Sequence, residues 1–211
     1  MRRRVGLPLV ACLAVMILAG SIAAWRVSEA QSRTEVRRLV LAGMTKEELA
    51  AASSLIVEGV VEQVLPARWN TVDGQEPSDF STGAYTIYHD VGIRVDEVLK
   101  GSGLSGKIIQ VRVFTGHVPS GKSVRTVVCS EEPVYSKDER VLAFLSSDST
   151  MYNLNNETDH YITTGAMQGK YLISGDTAST RSDKSALQDL RSIVERHRND
   201  PLPGYMRPSS P

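Results

Sequence analysis

Four histidines, His89, His117, His160 and His197, are the side chains best suited to acid–base or metal chemistry near neutral pH. Their spacing argues against a metal centre. None stands in a His-x-His, His-Glu-x-x-His or Cys-x-x-Cys arrangement. His89 falls in phase with an apolar strand face and is expected to be a hydrogen-bonded histidine at its rim, a ligand or general base being the alternative. His197 ends a helical pattern, where a cation complements the carbonyl end of the dipole. Carboxylates pair at Glu47-Glu48, Glu131-Glu132 and Asp138-Glu139. Two carboxyls divide acid and base work only when their surroundings push their pKa values apart. Neighbours in sequence point in different directions and all three pairs lie in polar turns, so solvated charge is expected. No Gly-x-Ser-x-Gly elbow supports a serine hydrolase. No catalytic or metal-binding residue is assigned, and no cofactor is expected.

One motif matches a nucleotide site letter for letter. Gly116-His117-Val118-Pro119-Ser120-Gly121-Lys122-Ser123 follows the Gly-x-x-x-x-Gly-Lys-[Ser/Thr] pattern. A working phosphate loop opens a helix whose N–H groups cradle the phosphates. Here Val124 to Cys129 follows, β-branched and strand-like, so a hairpin is expected instead. Cys129 is the one cysteine outside the apolar segment that holds Cys12. It has no disulfide partner in the domain and is expected to be a small buried residue, a reactive thiol being the sharper reading. Asn156-Glu157-Thr158 fits a glycosylation acceptor, relevant only in a eukaryotic secretory route. Trp69, Tyr85 and Tyr88 cluster around a long loop. They are the candidate ligand contacts, able to stack on sugars or a peptide, with ordinary packing as the alternative.

These residues must be positioned by a β-rich chain. Thr45 and Glu48 fit a capping box, which predicts a short helix through Ala52. Leu55 to Val61 reads as a strand in which Gly59 marks a bend or a close backbone approach. Pro66–Gly83 is a surface loop. From Tyr85 to Leu99 apolar and polar residues alternate, with a phase slip at Glu97-Val98-Leu99 that predicts a bulge. At about 3.3 Å per residue that strand is long enough to curve around a barrel. Strands follow at Lys107–Thr115, Val124–Cys129, Val141–Leu145, His160–Thr164 and Lys170–Ser174, with a loop over Ser146–Asp159. Val141–Leu145 is apolar on both faces and should be covered by a barrel interior and by a helix. Asp183 to Arg198 carries one helical apolar stripe, Leu187, Leu190, Ile193 and Val194. The fold expected is mainly β: a small five- to six-stranded OB-like barrel with short flanking helices, preceded by an N-terminal apolar helix. A two-sheet sandwich is the rival.

That leading segment sets an address. Arg2, Arg3 and Arg4 precede an uncharged run from Val5 to Trp25, roughly the 20 residues needed to span a bilayer. It reads either as an uncleaved signal-anchor or as a cleaved signal peptide, with cleavage sites at Ser21-Ile22-Ala23 and Ser28-Glu29-Ala30. Either reading places the rest outside the cytoplasm. The segments expected are 1–25 (anchor or signal), 26–44 (a stalk or short helix), 45–199 (the barrel with its C-terminal helix) and 200–211 (a frayed tail). Basic and acidic residues balance at 24 each. No global field attracts nucleic acid, and none is expected as a partner.

Several stretches resemble a known class. Leu49 through Val61, Val91 through Gly101, Asp138 through Leu145 and Gly165 through Tyr171 resemble uncharacterised bacterial exported proteins. Their barrel is similar to that of the tissue inhibitors of metalloproteinases and the netrin module. Members usually carry Gly where Asp138 stands. The animal inhibitors present an amino-terminal cysteine to the protease zinc, and this chain has no such residue, so the resemblance carries fold rather than inhibition. The function expected is a non-enzymatic module at the extracytoplasmic face of the membrane. It would present Pro66–Gly83 and Ser146–Asp159 to an envelope or extracellular protein or a glycan. The alternatives are a hydrolase-type enzyme with scattered residues such as His89, His160, Glu131 and Asp159, and a protease inhibitor by fold analogy.

Overall fold

The computed structural model describes residues 32–38, 42–79, 83–154 and 157–203. The apolar segment 5–25 with its cleavage sites, Cys12, Asn156 and the end of the tail lie outside them. Among the described residues no helix is long and apolar enough to cross a membrane. In chain order the elements are β1 (Arg33–Arg37), α1 (Lys46–Ala52), β2 (Leu55–Val64), β3 (Arg68–Trp69), β4 (Ile87–Lys100), β5 (Ile108–Val113), β6 (Gly116–Ser120) and β7 (Ser123–Cys129). Then come β8 (Arg140–Ser147), β9 (His160–Thr163), a 3₁₀ turn (Ala166–Gly169), β10 (Lys170–Ser174), β11 (Thr177–Ser179), β12 (Lys184–Ala186) and α2 (Leu187–Arg196).

Five strands close on themselves in the order β8-β2-β4-β5-β9, with β9 returning to β8. Every neighbouring pair is antiparallel except β5–β9, which is parallel. This is the OB-type barrel that the strand pattern predicts. Period-two alternation turns Val57, Val61, Val91, Ile93, Val95, Val111, Val113, Val141, Ala143 and Leu145 inward, all of them fully buried. The opposite face of β8, Leu142 and Phe144, packs with Leu49 of α1 and with Leu187, Leu190 and Val194 of α2. β8 is thus covered on both sides, which is why its sequence shows no alternation.

Two close fits hold the helices to the barrel. Glu58, only 1% exposed, receives Arg191 Nε and Nη2 of α2 at 2.7 and 2.9 Å and Arg140 Nη2 at 3.3 Å. Lys100 Nζ donates to the Ala50 and Ala51 carbonyls at 2.7 and 3.3 Å, satisfying the C-terminal end of α1. At the other end the capping box forms as expected: Glu48 N donates to Thr45 Oγ1 and Thr45 N to Glu48 Oε2. Gly59 is a close approach. A Cβ there would lie 2.3 Å from the Arg94 carbonyl oxygen. The β2–β4 ladder slips beside Gly59 and again between Ile56 and Val57, leaving Asp96 and Leu99 without registered partners. The phase slip at Glu97-Val98-Leu99 falls between them.

Some boundaries differ from expectation. Residues 33–37, expected as stalk or short helix, form β1, parallel to β7 in the sheet β1-β7-β6. Thr34 and Val36 register with Thr126 and Val128, so β-branched side chains align on one face. The final helix begins at Leu187 because Lys184–Ala186 is held as β12 against β11. Gly116–Ser123 is the β6–β7 hairpin, Ser120 registering with Ser123 across Gly121-Lys122. No helix follows it, so it offers no phosphate cradle.

Candidate functional site

The two loops singled out by sequence meet at one end of the barrel. Asn70 joins them: its Nδ2 donates to Ala84 O at 2.9 Å and to Tyr152 O at 2.8 Å, and its Oδ1 accepts from Thr86 N. Asn153 ties the second loop to itself, donating to the Asp148 and Glu157 carbonyls and accepting from Glu157 N. β3 pins the first loop to the start of β4 through Arg68↔Tyr88 and Trp69↔Ile87.

Under these loops the outer face of β4 and β5 carries a buried charge network. Asp90 and Arg112 are cross-strand partners. Arg112 Nε and Nη2 reach the two Asp90 oxygens at 2.9 and 3.3 Å, and Nη1 reaches Glu157 Oε2 at 2.9 Å. Its guanidinium lies 3.9 Å from the Tyr88 ring centroid, and that of Arg68 lies 5.2 Å from it. The Arg112 side chain is 4% exposed. A fork matched to a carboxylate and stacked on an aromatic face is how arginine is accommodated in such a place.

Beside Arg112 lies a cavity of about 200 Å³, lined by Arg37, Phe114, Cys129, Glu132, Tyr152 and Thr163 among others. Burial pushes the Glu132 carboxyl up to about 7, against a hydrogen bond from the Phe114 backbone that lowers it, and the Asp148 charge adds to the rise. Glu132 is therefore able to give or take a proton near neutrality. Arg37 Nε pairs with Glu35 and Nη2 with Tyr85 O, while the buried Nη1 has no hydrogen-bond partner among the described residues. Burial pushes the Cys129 thiol up as well, and its Sγ lies 3.3 Å from Glu131 Oε2. A raised thiol is a poor nucleophile.

The sequence candidates are dispersed. Trp69 and Tyr88 are buried and Tyr85 is half-buried. Trp69 packs with Ile87, Val118 and Val127, and Tyr88 lies beneath the two arginines. His89 Nδ1 lies 2.8 Å from the Thr115 carbonyl, and His89 and the exposed His117 border a groove of about 310 Å³ that also reaches Glu132. His197 caps α2 and pairs with Asp200. His160 is buried on β9, its Nε2 2.9 Å from Asp148 Oδ2. Burial pushes the Asp148 carboxyl up, but hydrogen bonds from His160 and Thr150 outweigh it and hold it below its ordinary value. Glu157, Asp159 and His160 bring three ligand atoms within 4.8 Å of one another, the group among the described residues able to hold a metal ion.

Of the adjacent carboxylates, Glu48 serves the helix cap and Glu139 accepts Lys170 Nζ. Asp138 has φ 68, the left-handed conformation that glycine adopts without strain. Sequence reasoning missed Arg112, Asp90, Arg37 and Glu132 as a group. Their one signal was opposite charge on strands that pair, Asp90 and Arg112. No protein-family model matches the chain, and no curated protein is significantly similar to it.

Proposed function

We propose that this chain is a membrane-held, non-enzymatic OB-type barrel that presents its loop-covered end to a protein or glycan on the extracytoplasmic side. The observation that carries the reading is the clasp between the two loops, Asn70 to Tyr152, above the Asp90–Arg112 pair. In OB barrels the equivalent strands and loops are the ligand-binding face. The clasp pre-orders both loops, so less conformational entropy is lost on binding. Val72 and Met151, at 89% and 61% exposed, place apolar side chains on these loops. The apolar run Val5–Trp25 supports the address, and the left-handed Asp138, where the exported TIMP/netrin-like class usually has glycine, supports kinship with that class.

In-cell photocrosslinking tests this, with the crosslinker at Val72 or Met151 and at Leu172 as a control on β10. The expected result is one recurrent envelope partner captured from the first two positions and not from the third. Equal capture from all three, or none, refutes the reading. An enzyme is the second reading, favoured by Glu132 titrating near 7 in a cavity. A hydrolytic activity abolished by Glu132→Gln and retained by Cys129→Ala would establish it.

A further inference from the structure

Both ring nitrogens of His160 face carboxylates. Nε2 lies 2.9 Å from Asp148 Oδ2, while Nδ1 lies 3.3 Å from Asp159 Oδ1 and 4.0 Å from Glu157 Oε2. The imidazole and the Asp148 side chain are 1% and 0% exposed. A neutral imidazole has one N–H and one lone pair. Asp148, held in place by a hydrogen bond from Thr150 N to its other oxygen, takes the Nε2–H. Nδ1 is then a buried lone pair facing Asp159 Oδ1 and Glu157 Oε2, the second of which also accepts Arg112 Nη1 at 2.9 Å. Positive charge at Nδ1, from a second proton or from a metal ion, would relieve this meeting of acceptors.

We propose that Glu157, Asp159 and His160 form a binding site for a divalent cation of the zinc class. Its ligands are His160 Nδ1 and one oxygen from each carboxylate. Tetrahedral zinc with bonds of about 2.1 Å sets its ligand atoms about 3.4 Å apart. Nδ1 and Asp159 Oδ1 already stand at 3.3 Å, and the three ligand atoms lie within 4.8 Å of one another. Glu157 Oε2, now 4.0 Å from Nδ1 and bonded to Arg112, must draw inward to complete the shell. An imidazole nitrogen with two carboxylate oxygens favours zinc, and manganese after it, over calcium or magnesium. Asp148 plays the part of the outer carboxylate that fixes the tautomer and orientation of a ligating histidine. Charge agrees with the assignment. Asp90 and Glu157 pair with Arg68 and Arg112, while Asp148 and Asp159 face His160; with a neutral imidazole this leaves two negative charges that a divalent ion neutralises. Asp159, at 84% exposed, leaves the remaining coordination positions open to water. The ion would tie the 148–159 loop to the first residue of β9.

The full-length chain, stripped with a chelator, is titrated calorimetrically with Zn²⁺, Mn²⁺ and Ca²⁺. One Zn²⁺ per chain is expected, with Mn²⁺ weaker and Ca²⁺ not binding measurably. Asp159→Ala, at an exposed side chain that the fold does not need, is expected to weaken Zn²⁺ at least tenfold. Asp148→Asn is expected to weaken it by roughly 10- to 100-fold. In nitrogen NMR the His160 Nδ1 resonance moves on adding Zn²⁺. Absence of saturable Zn²⁺ binding overturns the proposal, as does affinity unchanged in Asp159→Ala, which would place the ion elsewhere, such as at His197 and Asp200. A doubly protonated His160 ring in the presence of Zn²⁺ also overturns it, since the second proton then supplies the charge. None of these readouts involves a binding partner, so the metal and the docking face stand or fall separately.

Discussion

Glutamine in place of Glu132 isolates the energetics of one buried carboxyl. The group has an ordinary value of 4.5 and sits at about 7 in the folded chain, chiefly because burial disfavours its charged form. Between those values the folded state holds a proton that the unfolded state has released. Stability therefore falls as pH rises through the window from 4.5 to 7, and the loss is complete above it. At about 1.4 kcal/mol per pH unit the loss amounts to about 3 kcal/mol. Glu132→Gln carries no titrating group, and its amide oxygen still accepts from the Phe114 N–H. Carboxyls that do not interact with Glu132, such as Asp183, titrate alike in both proteins and cancel in the difference, and Asp148, held below its ordinary value, stays charged in the folded chain across the window. Urea unfolding of both proteins from pH 4 to 8.5 is the assay. The stability of the variant relative to the parent is expected to be constant below pH 4.5, to climb across the window and to level off near pH 8, about 3 kcal/mol higher. A difference that stays flat refutes the buried carboxyl, and one that falls with pH means the charged form is favoured.

Arg112→Met leaves Asp90 buried without its fork and is expected to cost about 3–5 kcal/mol by chemical denaturation. Arg94→Met, whose partners Glu62 and Asp96 are more than a third exposed, should cost far less than Arg112→Met, and equal losses would contradict the buried network. Gly59→Ala drives a methyl group into the Arg94 carbonyl and should destabilise by at least about 2 kcal/mol. Gly43→Ala, with no atom of the described residues within 4 Å of its Cβ, should leave the melting temperature unchanged or slightly raised. Thr45→Ala removes half the capping box and should cost about 1 kcal/mol, most of it restored by serine.

The barrel was legible because its interior obeys a period of two that any β-branched strand displays. Val91, Ile93 and Val95 announce their face without reference to the rest of the chain. β8, apolar on both sides, announced two coverings. The site was less legible, because its burial comes from loops rather than from periodicity. Asp90 and Arg112 occupy alternate positions that read as a solvent face, and Glu157 and Arg68, brought in from elsewhere, put them under cover together with the Tyr88 ring. Glu132 was one of two adjacent carboxylates in a polar stretch. Its separation from Glu131 comes from the packing of Phe114 and the cavity wall, which sequence spacing does not encode. β1 was hidden by its charges: Arg33, Glu35 and Arg37 resemble a tether, yet Thr34 and Val36 between them complete a strand. The Glu157, Asp159, His160 group escaped motif reading because a strand start, not a helix, brings its atoms together.

The parallel pairing of β1 with β7 has a mechanical consequence. Five registered pairs, Arg33↔Arg125 to Arg37↔Cys129, run side by side along β1. A pull along the strand axis loads all five pairs together, in shear, instead of opening them one after another as a hairpin peels. Tension along β1 is thus resisted by the whole ladder before it reaches the barrel, and β1 acts as a strain relief for the adjoining loops, which it touches through Arg37 at the Tyr85 carbonyl and the Tyr152 ring.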